Sequence, residues 1–304
     1  MKGQHRTHAR IFALSALWML GVPAGWSHQP VMDMAPRWNG GYGIQIRTEH
    51  LTRDELQQDG VSLENALDLR LESTTTWLEG VYTFRRAHRL TFKLPHIQTE
   101  QRLLQDGEVR SLRAAGVGDL ILGFQNKAYF NRKRSTGNVS FTPSVRLPTG
   151  STSRDLPLGK GSFDYGASLS ASVEMFKLYS LFDAFGWLHT EGDDGHRRGN
   201  MVGFDIDLGV HPYHNFQKNS GIFVMSGING RWFGKDKLSS GADDPNSGGR
   251  TLEIAPTLVL YWNNLMWRSE VAIPVASDLN GTQFSQSSTV RTGIGIVFAS
   301  RSPL

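Results

Sequence analysis

The stretch Val139–Leu147 reads VSFTPSVRL, with apolar side chains at 139, 141, 143, 145 and 147 and polar ones at 140, 142, 144 and 146. Successive side chains of an extended chain point to opposite faces, so this is a strand with one greasy and one wet face. The segment 163–175 repeats the pattern over thirteen residues: Phe163, Tyr165, Ala167, Leu169, Ala171, Val173 and Met175 alternate with Asp164, Gly166, Ser168, Ser170, Ser172 and Glu174. That is long for a strand in a soluble domain, usually ~5–6 residues, and suits a tilted strand crossing a bilayer with some overhang.

Outward from these two, the same reading places strands near 41–50, 74–84, 90–97, 117–130, 178–189, 201–212, 221–233, 250–262, 265–275 and 288–298, twelve in all. Only 178–189 is apolar on both faces. The connections alternate in length along the chain. Long ones are 51–73, 98–116, 148–162, 190–200, 234–249 and 276–287; short ones are 85–89, 131–138, 176–177, 213–220 and 263–264. An even strand number, short periplasmic turns and long outer loops are the pattern of outer-membrane barrels. The expected fold is therefore all-β: a transmembrane antiparallel β-barrel over 41–298 with both termini in the periplasm. A soluble sandwich is the bland alternative, but twelve strands of this length carry more apolar stripe than one compact core needs.

Bulk composition alone would mislead. The 304-residue chain has a net charge of only +4, its mean hydropathy is negative, and after the N-terminus no apolar run is long enough for a helical span. A barrel averages out in this way because lipid-facing and lumen-facing residues alternate. The 33 glycines, 8 tryptophans and 16 phenylalanines fit a sheet protein with aromatic girdles. Trp77, Tyr82, Phe84, Tyr129, Phe130, Tyr179, Trp187, Trp232, Phe233, Tyr261, Trp262 and Trp267, near strand ends, are read as interfacial anchors. Residues 1–24 have the layout of a secretory signal peptide: a basic start, an apolar run from Ile11 to Val22 and small residues before a cut after Ala24, with Ser27 the second choice. Residues 25–40 then form a periplasmic lead-in and 299–304 a C-terminal tail. The absence of cysteine removes lipoprotein anchors, disulfides and thiolate metal sites together.

Three stretches carry a family resemblance: MAPRWNGGYG at 34–43, GVGDLILG at 116–123 and RLPTGS at 146–151, with a late strand ending in Phe298. They resemble the outer-membrane proteins grouped as the phenol meta-pathway degradation-like, or putative transporter, family. The resemblance covers most of the mature chain and implies a β-barrel for passage of small, often hydrophobic or aromatic, organic compounds. In one respect the chain departs from barrel precursors, which usually finish on an aromatic residue read by the barrel-assembly machinery. Here Phe298 is followed by six further residues.

With the apolar face outward, the lumen receives Arg47, Glu79, Lys93, Asp119, Lys127, Arg146, Asp164, Glu174, Asp183, Asp205, Asp207, His211, Arg231, Glu253, Arg268, Glu270 and Arg291. Nine acids face seven bases, His211 aside. A one-signed lining would indicate an ion-selective pore; this mixture reads either as a polar path for solute or as paired charges that fill and stiffen the barrel. The functional expectation is a porin-like, Gram-negative outer-membrane channel for a small organic solute, monomeric, surrounded by outer-membrane lipid, with no cofactor and no nucleic-acid partner.

Three other readings stay open: a non-conducting structural or adhesion barrel, a protein of metal (copper) handling, and an outer-membrane hydrolase. For copper, His28, Met32 and Met34 offer imidazole and thioether groups suited to a soft ion, though the set is sparse. For hydrolysis, His96, His189, His211 and His214 are the available bases, but none stands in a serine motif and no G-x-S-x-G occurs, so the chain is expected not to be an enzyme. The segment 234–249 reads as a mobile outer loop in which Asp236, Asp243 and Asp244 lack regular Ca²⁺-ligand spacing.

Overall fold

A computed structural model describes residues 41–105, 108–152, 156–175, 177–215 and 217–298. The expected signal peptide, the lead-in with His28, Met32 and Met34, and the tail 299–304 lie outside the described residues. Every described element is a strand. In chain order they are β1 (Gly41–Arg53), β2 (Glu55–Gln58), β3 (Val61–Leu63), β4 (Arg70–Arg85), β5 (His88–Gln105), β6 (Glu108–Val117), β7 (Leu120–Arg132) and β8 (Ser135–Leu147). There follow β9 (Asp164–Met175), β10 (Leu178–Leu188), β11 (Met201–Asn215), β12 (Ser220–Phe233), β13 (Gly249–Trp262), β14 (Leu265–Leu279), β15 (Thr282–Ser285) and β16 (Thr289–Phe298).

Twelve of these close into an antiparallel barrel. Each neighbours the next along the chain, and β1 seals the ring by pairing with β16 from Tyr42 opposite Phe298 to Leu51 opposite Thr289. Closure leaves no strand edge, which lipid could not hydrate. The faces follow the period-two pattern. On β9, Tyr165, Ala167 and Leu169 are exposed on the outside, while Asp164, Ser168 and Ser170 are buried within. Exposed Ile44, Phe141, Leu208, Ile254 and Ile294 continue the apolar exterior around the ring.

Short turns gather at one end, the turn end, and long connections at the other, the loop end. The turn between β13 and β14 shows how sequence sets one: Asn263 takes a left-handed conformation (φ 53°) that asparagine tolerates, and its N–H donates to the Asn219 carbonyl of the neighbouring turn (2.8 Å). The loop end is more ordered than the sequence suggests. The expected loop 98–116 is mostly a hairpin, with β5 running on past the barrel wall and pairing with β6 from His96/Val117 to Gln105/Glu108. The expected strand 117–130 is β7, which starts three residues later, after the break at Gly118-Asp119 that follows the end of β6 at Val117. Parts of the connections 51–73 and 276–287 join in a three-stranded sheet of β15, β2 and β3. The segment 234–249 is also no free loop: Lys237 bridges to Arg197 on one side and to Asp243 on the other.

The outer face sets a test. Leu169 is 52% exposed, midway along β9 and opposite Phe141. Leu169→Arg should cost about 2–4 kcal/mol of membrane folding stability, read by urea titration of folding into lipid vesicles, whereas Leu169→Val should fold as the parent does.

Candidate functional site

The inner wall is built from charges set opposite one another by strand register. Glu79 on β4 faces Lys93 on β5, Glu49 on β1 faces Arg291 on β16, and Arg291 also faces Glu270 on β14. Opposite charges at directly paired positions attract across the ladder. Here they join into one network. Arg291 reaches Glu270 (2.5 Å), Glu49 (3.2 Å) and Glu253 (3.9 Å); Glu270 also takes Arg268 (2.9 Å). Glu49 meets Arg47 (3.3 Å), which reaches Glu79 (3.0 Å). Amides serve the remaining oxygens, with Gln45 donating to Glu79 (3.2 Å) and Gln286 to Glu253 (2.7 Å). Arg47, Glu49, Glu79, Glu253, Glu270 and Arg291 are all buried, so the pairs fill this side of the lumen.

A second set lines the opposite wall. Arg146 and Asp164 face each other across β8 and β9 and pair at 2.6 Å; Arg231 pairs with Asp205 (2.5 Å), and Ser170 donates to Asp183 (2.5 Å). Between them runs β10, the strand whose faces are ambiguous in sequence. Its inner residues Leu181, Phe185 and Trp187 are buried with Asp183. The apolar inner face has a purpose: the Arg146 guanidinium lies 4.6 Å from the Trp187 ring centre and that of Arg231 4.7 Å from Phe185, so aromatic faces stand in for water around buried cations. Glycines make room on either side, because a Cβ at Gly166 would meet the Trp187 ring at 2.8 Å and one at Gly203 would meet Phe185 at 2.8 Å.

These placements correct the girdle expectation. Trp77, Trp187 and Tyr261 are buried inside rather than at the lipid interface, and Tyr129 and Tyr179 line a recess of the lumen. Trp77, 1% exposed, lies 5.7 Å from Arg47 as a further cation–π partner. Tyr82, Trp232 and Trp262 remain exposed on the outside.

The connection between β8 and β9, described over 148–152 and 156–163, folds inward against the wall. Asp119, at the break between β6 and β7, accepts the N–H of Gly150 (3.0 Å) and of Lys160 (2.8 Å). Thr149 accepts the Leu120 N–H (2.9 Å) and donates to the Gly118 carbonyl (3.0 Å). Leu156 and Leu158 are buried with Leu71, Ile97 and Ala114. The GVGD and LPTG stretches thus meet as a latch, with Asp119 at its centre. Beneath it Lys160 reaches Asp164 (3.4 Å), as does His189 (3.8 Å). Burial, with Arg146 and Arg198 adding repulsion, holds Lys160 well below the ordinary lysine range; burial and then Lys160 hold His189 below the ordinary imidazole range.

Towards the turn end the filling stops. A recess of about 200 Å³ opens there, lined by Arg86, Arg89, Lys127, Tyr129, Glu174 and Tyr179 among others. Asp207 is buried on the inner face, and His211 is half-buried there with its ring stacked on Phe223 (4.0 Å). A register shift after Val210 lets His211 and His214 approach the same atom, the Tyr261 hydroxyl, at 3.0 and 3.1 Å. His96 is exposed on the outside. Among the described residues no group of three or more His, Cys, Asp or Glu could hold a metal. Asp236 and Asp243 are engaged within their loops, by the Gly199 N–H and by Lys237.

Sequence reasoning missed Glu49, Arg89 and Lys160. Glu49 has the parity of Arg47, so its inward facing was legible. Arg89 fell within an expected turn because β5 begins two residues early, and Lys160 lies in a loop whose inward fold nothing local announces.

No protein family and no curated protein matches the sequence. Solved structures do match in shape. The COG4313 outer membrane channel from Pseudomonas putida F1 overlays with a TM-score of 0.69 at 18% identity, covering 88% of this chain and 98% of that one. The CymD monoaromatic hydrocarbon channel gives 0.43 at 8% identity over 88% and 90% of the two chains. The beta domain of the Bordetella autotransporter BrkA gives 0.44 at 10% over 86% and 100%. The first shares the fold of this chain; the other two overlay too loosely to bear on it.

The hub of the network is testable. Arg291→Met takes one cationic partner from each of Glu49, Glu253 and Glu270, and loss of one partner from a buried ion pair costs about 3–5 kcal/mol. The heat-modifiable gel shift of the folded barrel should therefore occur at a clearly lower temperature, while Arg250→Met, at the exposed pair with Asp278, should leave it unchanged.

Proposed function

We propose that this barrel is a gated outer-membrane channel for small organic compounds, resting closed, with its turn end in the periplasm. The observation that carries the proposal is the inward-folded connection, described over 148–152 and 156–163, which is held to the wall by hydrogen bonds and the packing of Leu156 and Leu158 rather than by covalent links. A wall built only for stiffness needs no such piece. Removing it would widen the path beside Trp77, Arg146 and Arg198, where a small void already separates the loop from the wall. The buried ion-pair network would stay with the wall.

The resemblance to the phenol meta-pathway degradation-like family supports hydrophobic or aromatic solutes as cargo, and the fold shared with a named outer membrane channel supports conduction as the class of function. The barrel closes on itself without a second copy, which favours a monomer.

The test is conductance in planar bilayers. Each hydrogen bond to a charged acceptor contributes ~1.5–3 kcal/mol, and Asp119→Ala removes two from the latch. The parent should stay closed with rare brief openings, and Asp119→Ala should be open for at least ten times the fraction of time. Silence from both proteins, each folded by gel shift, would favour a non-conducting barrel.

A further inference from the structure

The recess at the turn end differs from the rest of the inner wall in its charge balance. Here three cations, Arg86, Arg89 and Lys127, line one concavity with a single carboxylate, Glu174. The side of the recess nearest these cations is aromatic. Arg89 donates to the Tyr129 hydroxyl (2.6 Å), and the Arg86 guanidinium lies 5.1 Å from the centre of the same ring. Tyr179 and Leu181 add apolar surface, and Asn138, Ser140, Ser170 and Ser172 supply hydroxyl and amide groups.

We infer that this recess is a binding site for a small organic carboxylate. Its carboxylate would lie among Arg86, Arg89 and Lys127, and its flat apolar body against Tyr129, Tyr179 and Leu181. Guanidinium groups match a carboxylate with two parallel N–H donors, and tyrosine rings give a flat apolar surface at low entropic cost. A volume of about 200 Å³ is below the ~300–1,000 Å³ of drug-sized sites, which limits the ligand to about one ring or a short chain. Placed at the turn end, on the far side of the ion-pair network from the loops, the site would hold solute that has passed the constriction. The inference deepens the channel reading by naming a substrate class, and it rests on that reading only for the direction of passage.

The test is titration calorimetry on the full chain folded in detergent at low ionic strength, with sodium benzoate, benzamide and inorganic phosphate as probes. Benzoate should bind saturably, and benzamide, of the same shape without charge, at least tenfold more weakly. Phosphate, charged without an apolar body, should also bind at least tenfold more weakly. The Arg86→Gln/Lys127→Gln double variant should lose benzoate affinity at least tenfold; Arg89 is left in place because it is buried and holds Tyr129. If the double variant does not fold, Arg86→Gln alone, in an exposed turn, should lose at least threefold. Absent benzoate binding, equal binding of benzamide or phosphate, or unchanged affinity in folded variants would each overturn the inference. Because calorimetry needs no conduction, a barrel that conducts without binding benzoate sinks only this site, and one that binds benzoate without ever conducting sinks only the channel.

Discussion

In the hydrocarbon of a membrane no water is at hand for an unpaired amide or an isolated charge. That constraint dictates the wall first: twelve strands pair in a ring, so every strand has a neighbour on both sides. It then dictates the interior. With alternate residues sent outward to lipid, the other half of each strand must be polar or fill space, and each charge sent inward must find a partner across the ladder. The pairs Glu79/Lys93, Glu49/Arg291 and Arg146/Asp164 stand at facing positions of adjacent strands, so register and charge pairing enforce each other. Slipping one strand by a residue would put Arg291 in lipid and Val290 in the lumen.

The strand that breaks the alternation explains how so much charge can be buried. On β10 the inner face is aromatic and apolar around one aspartate, and its rings lie against guanidinium groups that reach in from β8 and β12, two strands away on either side. Trp77 serves Arg47 in the same way across the barrel. Burying an arginine costs less where a carboxylate meets its edge and a ring its face. The outcome is a lumen narrowed by salt bridges and aromatic plates near its middle, closed by a folded loop beside them, and open as a recess at the turn end.

Much of this was legible in the sequence wherever a pattern of period two decides it. Strand number, facing and the alternation of long and short connections follow from residues such as 139–147 and 163–175 without any knowledge of partners. Parity says that Arg47 and Arg291 point inward; it cannot say that both reach Glu49, because reach depends on register and barrel width. The same limit hid Trp77 and Trp187, whose place near strand ends suggested a lipid anchor. Only the inward parity they share with Glu79 and Asp183 marks them as lumen residues. Loops were least legible. GVGD and LPTG stood out as motifs, but that Asp119 clasps Gly150 and Lys160 is a contact between segments some thirty to forty residues apart, and no local propensity encodes it.

The absence of cysteine from the chain allows the central claim, a lumen sealed near its middle but open at the turn end, to be measured directly. Single cysteines at Ser172, which lines the recess, and at Thr257, buried beside Glu270, can be treated with a small water-soluble methanethiosulfonate reagent in the folded barrel. A sealed lumen requires Ser172→Cys to react at least a hundredfold faster than Thr257→Cys. Equal rates at the two positions would mean that water and small solutes already run the length of the barrel, and would contradict it.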